Sequence, residues 1–94
     1  MNALLDSAPT TLFDGTQAGA ARAAPLNGGV SRPCKYVLVQ NSPSSAGNLL
    51  VGNATSQSVI LTPGASEEIW INDVAKVYVK LASAAAALAN VHAV

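Results

Sequence analysis

Charge is scarce in this chain: charged residues fill 11% of its 94 positions, against about 25% in an ordinary soluble domain. Five basic residues balance five acidic ones, so the formal net charge is zero, and the basic footprint needed for phosphate backbones is missing. Nucleic acid is therefore not an expected partner. Aromatic residues are rarer still, with Phe13, Tyr36, Trp70 and Tyr78 making up the whole set. The single cysteine, Cys34, excludes an intramolecular disulfide and a multi-cysteine zinc site, and is read as a buried thiol acting as a small hydrophobe. The longest purely apolar run, residues 84–89, is too short to cross a bilayer. The segment Met1 to Asp6 has no basic start and is cut by an acid, so no secretory signal is expected. These features predict a chain made in a cytoplasm, with no membrane partner.

What the chain has instead is alanine, which supplies 18 of the residues counted as hydrophobic. Large apolar side chains for a core are correspondingly few, and the length allows one domain rather than an enzyme with an interdomain cleft. Net charge keeps proteins apart in solution, so a neutral, charge-poor surface suits a protein committed to neighbours.

Along the chain, residues 1–19 show neither a period of 2 nor one of 3.6. Leu4, Leu5, Leu12 and Phe13 are apolar points among Asp6, Pro9, Asp14 and Gly15, which predicts an extended assembly arm with hydrophobic anchors. Residues 18–24 read as strand or arm, the alanines alone favouring a short helix that Gly19 weakens and Pro25 ends. From Asn27-Gly28-Gly29 onward the pattern is regular. Cys34 to Gln40 is a β-rich run, 41–48 a loop, Leu49 to Val51 a strand, Gly52-Asn53 a tight hairpin turn, and Ser58 to Leu61 a strand. Thr62-Pro63-Gly64-Ala65 matches a type II turn. Glu67 to Ile71 follows as a strand, with Asn72-Asp73 as a turn. In Lys76 to Leu81, Val77, Val79 and Leu81 point one way while Lys76, Tyr78 and Lys80 point the other. Residues 83–86 form an alanine connector, and Leu88 to Val94 closes the chain with Ala89, Val91 and Ala93 on one face.

Six or seven short strands without a long helix specify an all-β fold, a small antiparallel β-sandwich or jelly-roll-like barrel, over residues 20–94 behind an arm of residues 1–19. No catalytic constellation is visible: His92 is the one histidine, Glu67 and Glu68 point to opposite faces of a strand, and no phosphate-binding, CxxC or HExxH motif occurs. Asn53-Ala54-Thr55 fits a glycosylation pattern that has no meaning without secretion. No catalytic, cofactor or metal residue is assigned. Trp70 and Tyr78 are candidates either for an interface or for plugging a core that has little else of their size.

One ordered set of motifs carries a resemblance. Cys34-Lys35-Tyr36-Val37-Leu38-Val39 is followed by an Asn-rich loop, then Leu50-Val51-Gly52-Asn53, the turn Leu61 to Gly64, an acidic and Ile-rich strand, and Val74 to Val79. In this order, residues 34–94 resemble small β-sandwich proteins encoded among the structural genes of tailed bacteriophages. The resemblance implies a non-enzymatic virion protein without cofactors, most naturally a capsid decoration or cement protein. Its implied partners are the major capsid protein or other virion proteins, and copies of itself, with a trimer favoured. Leu4, Leu5, Leu12, Phe13, Trp70 and Tyr78 are the candidate interface residues. The alternatives are a host-surface carbohydrate or receptor-binding module and a small tail or neck adaptor.

Overall fold

A computed structural model describes residues 13–94. The expected anchors Leu4, Leu5 and Leu12 lie outside the described residues, as does most of the expected arm. Eight strands form: β1 (Phe13–Ala18), β2 (Ala24–Pro25), β3 (Val37–Asn41), β4 (Leu49–Gly52), β5 (Val59–Leu61), β6 (Ser66–Ile69), β7 (Tyr78–Leu81) and β8 (Leu88–Ala93). They assemble into two four-stranded sheets, ordered β1-β8-β3-β6 and β2-β7-β4-β5, every pairing antiparallel.

The pairings are nested. The hairpin β4·β5 lies innermost, β3·β6 encloses it, β2·β7 encloses that, and β1·β8 joins the two ends of the described chain. Two further pairings, β3·β8 and β4·β7, zip the folded-over ribbon into two sheets. This is the eight-stranded jelly roll of two Greek keys, a two-sheet sandwich and not a closed barrel.

Period-two alternation sets the interior. Val37 and Val39 of β3, Ala89, Val91 and Ala93 of β8, Leu49 and Val51 of β4, and Val79 of β7 point inward and are all but fully buried. Leu26, from a 3-10 segment (Leu26–Gly29) kinked by left-handed backbone at Asn27 and Gly28, and Val74, from a 3-10 turn (Val74–Lys76), are also fully buried. The inward faces of β7 and β8 follow the alternation read in the sequence. The Thr62 to Ala65 turn also forms as expected, with Gly64 at φ 90° and the Ala65 N–H donating to the Thr62 carbonyl at 2.8 Å.

Several expectations need correction. Phe13–Ala18 is a sheet strand, so the sandwich begins before residue 20; pairing along the whole of β8 supplies the order that its Gly- and Gln-containing sequence lacks. Of residues 18–24, only Ala18 and Ala24 fall in strands, and none is helical. Gly52-Asn53 does not make a two-residue hairpin. Residues 53–58 form a loop in which Asn53 Oδ1 accepts the N–H groups of Thr55 and Ser56 at 2.8 and 2.9 Å. The loop crosses Gly52 so closely that a Cβ there would lie 2.1 Å from the Ser56 carbonyl oxygen.

The alanine connector closes one end of the sandwich. The Ala86 carbonyl accepts the N–H groups of Ala46 and Gly47, and the Ala87 carbonyl accepts that of Gly19. A Cβ at Gly47 would meet that of Ala85 at 2.6 Å, so three segments meet here because all are made of small residues. Asn41, fully buried beside this end, donates both amide hydrogens, to the Gly47 carbonyl at 3.0 Å and the Leu61 carbonyl at 2.9 Å.

Two outcomes follow for denaturant unfolding. Asn41→Asp turns a carboxylate toward two carbonyl oxygens and is expected to cost about 3 kcal/mol or more at neutral pH, with part of the loss recovered as acid neutralises the group. Gly52→Ala is expected to cost about 1–3 kcal/mol, because the atoms it strikes are backbone.

Candidate interaction surface

The outward face of the first sheet is ordered by register. Leu38 pairs with Glu68 and His92, Gln40 with Ser66 and Asn90, and Asn90 Nδ2 donates to Gln40 Oε1 at 3.2 Å. One residue past the last inward row, Val94 exchanges backbone hydrogen bonds with Tyr36. Because Val37 faces Ile69 across β3·β6, Tyr36 falls beside Trp70. Their rings pack with centroids 5.2 Å apart at 49°, a tilted geometry of the kind aromatic pairs prefer.

Trp70 is 73% exposed. The core reading of this residue is thereby overturned: the interior is filled by Val, Leu and Ala, and Trp70 lies beyond the end of β6 on the outside. Tyr78 lies elsewhere, on the outward face of the second sheet, where it pairs with Pro25 and Gly52. The two aromatics singled out from the sequence therefore do not form one site. The partner of Trp70 is Tyr36, a residue the sequence marked only as part of a strand. Its signal was the antiparallel register, which needs the turn positions between residues 41 and 66 before it can be read.

Tyr78 shares a shallow hollow of about 400 Å³ with Asn53, Thr55, Ile71 and Lys76, and Lys76 Nζ donates to Asn72 Oδ1 at 2.9 Å. A second hollow of about 360 Å³ opens where the edge strands β5 and β6 leave the sandwich uncovered, lined by Val59, Glu67, Ile69 and Ile71 among others. The two hollows share Asn53 and Ile71. On the second sheet's outer face, Leu50 stands between Lys80 and Ile60, and Ile60 is 62% exposed. Phe13 opens β1, opposite Ala93.

Asp73 and Cys34 are tied into the fold by hydrogen bonds. Asp73 caps the second 3-10 turn by accepting the Ala75 N–H at 2.9 Å, and ties it to the preceding loop by accepting the Arg32 N–H at 2.9 Å and the Ser31 hydroxyl. The Arg32 N–H first, then Ser31 and Ala75, hold its carboxyl below the ordinary carboxylate range. Cys34 is half-buried rather than fully enclosed, with its thiol donating to the Ile71 carbonyl at 3.2 Å. Burial, and then the nearby Asp73 charge, push that thiol upward, which makes it a poor nucleophile at neutral pH. Among the described residues no group of three or more His, Cys, Asp or Glu side chains gathers as metal ligands, and no helix is long and apolar enough to cross a membrane.

Trp70→Ala is expected to change unfolding free energy by about 1 kcal/mol or less in dilute solution, since only one ring contact is lost. For Asp73 the folded pKa is depressed, so its contribution is present above the unfolded value near 3.9 and lost as pH falls through the folded one. Asp73→Asn should lower stability at neutral pH and flatten the acid limb of the stability profile, as read by urea unfolding between neutral and strongly acid pH. No protein-family model, curated protein or solved structure matches the chain.

Proposed function

We propose that the chain is a non-enzymatic structural protein of a bacteriophage virion, a decoration or cement protein that binds the outer capsid surface as a small homo-oligomer and stabilises the head. The observation that carries this reading is the set of large apolar side chains left outside a filled core. Trp70, Ile60 and Val30 are each more than 60% exposed, and Leu38 and Leu88 are exposed as well. Tyr36 packs on Trp70, and Leu38 follows Tyr36 on the same outer face of β3, so part of this surface is contiguous, in a chain with 11% charge and no net charge. Contiguous exposed apolar surface marks contact with other proteins, and jelly rolls serve among other uses as viral capsid domains. The order of motifs from Cys34 to Val94 supports the same assignment.

A binding module is the second reading, and a specific feature favours it. The hollow beside Tyr78 combines an aromatic ring with Asn53, Thr55 and Lys76, which suits a sugar with one apolar face and several hydroxyls. Titration against host glycans separates the readings, because a cement protein gives no saturable signal.

The deciding experiment is cryo-electron microscopy of particles purified from cells that make the chain, with and without its gene. Density for the sandwich in regular copies on the capsid, and its loss together with lower resistance to heat when the gene is deleted, is the expected result. Particles that never contain the chain would overturn the assignment, and copies confined to the neck or tail would make it an adaptor.

A further inference from the structure

The indole of Trp70 and the start of the described chain lie at the same end of one sheet. Phe13 is in register with Ala93, Ala93 with Val37, and Val37 with Ile69, so a single row crosses all four strands. One step beyond that row stand Val94, Tyr36 and Trp70. The described chain therefore begins beside the aromatic pair. The twelve residues before it in the sequence include Met1, Leu4, Leu5 and Leu12, and their one charged side chain is that of Asp6.

Size favours a partner that brings this segment with it. Four strands spaced ~4.8 Å and four to six residues long present roughly 350 Å², less than half of the ~800 Å² per partner that stable interfaces bury. Twelve residues, extended, span up to ~40 Å, enough to cross the three strand spacings of ~14 Å and continue. Direction favours a second copy over the same one. β1 runs into the sheet from Phe13, so its line, continued backward, points off the sheet's end. A segment following that line meets the face of a neighbour placed at that end, whereas covering the outer face of its own sheet would require a reversal.

We infer that residues 1–12 of a second copy of this chain cover the Trp70–Tyr36 pair and the adjoining outer face of the first sheet. The exchange is reciprocal in a dimer and runs head to tail around a trimer, the closed forms such contacts take. The contact joins two copies, so it forms with concentration. This rests on the homo-oligomer part of the proposed function and not on its placement in a virion, since only copies of the chain are involved.

Trp70 is the sole tryptophan, so indole emission reports this contact alone. Light scattering and fluorescence of the full chain across a dilution series should show an oligomer with short-wavelength emission that shifts red as the mass falls to the monomer. The Leu4→Asp, Leu5→Asp double variant should associate at least tenfold more weakly and show solvated emission throughout, with far-ultraviolet dichroism unchanged. Trp70→Ala should weaken association to a similar degree. A chain that stays monomeric at all concentrations overturns the inference. So does an oligomer whose mass and emission ignore the double variant, and so does a monomer with short-wavelength emission, in which the chain's own residues cover the indole.

Discussion

The narrowness of the interior decides where everything else in the molecule goes. The gap between the two sheets is filled by Val, Leu and Ala side chains brought to near-zero exposure, and the central strand β8 contributes two alanines and one valine to it. Interiors are packed close to crystal density, and no indole fits such a space without displacing several of these residues. Tyr36, Trp70 and Tyr78 accordingly stand on the outer faces. Their exposure results from a core with no place for them.

The nested pairing carries that core. Only β4·β5 is a local hairpin; β1·β8 joins residues from opposite ends of the described chain. Contacts so distant in sequence make folding slow relative to helical domains, and they also place the two ends of the described chain side by side. Phe13, Val94, Tyr36 and Trp70 thus gather at one end of one sheet. The alanine-rich loop at the other end seals the sandwich through backbone hydrogen bonds and close contacts at Gly19 and Gly47. The low-complexity composition is thus a packing requirement at one end and a source of weak self-repulsion over the whole surface.

Much of the fold was legible from residues because alternation is a local property. Val77-Tyr78-Val79-Lys80-Leu81 and Ala89 to Ala93 announce their faces without reference to a partner, and Pro63-Gly64 announces its turn. β1 was hidden because Phe13–Ala18 contains glycine, glutamine and alanine in place of a β-branched pattern, and is ordered by β8. The loop of residues 53–58 was hidden because Gly52 is needed for close approach to Ser56, not for a turn dihedral. At the surface, Trp70 was visible as a candidate but its role was not. Its packing on Tyr36 follows from a register set across β3·β6, and no spacing along the chain encodes it directly. Tyr78 was grouped with Trp70 on residue type alone, and the two belong to different sheets.

The central claim is that the exposed aromatic end of the first sheet is an interface between protein chains. Hydroxyl-radical footprinting with residue-resolved mass spectrometry tests it most directly, by comparing Trp70 oxidation in the dilute monomer and in the assembled protein. Trp70 should be among the most oxidised residues in the monomer and be protected at least severalfold on assembly. Equal oxidation of Trp70 in both states, with protection appearing elsewhere, would contradict the account.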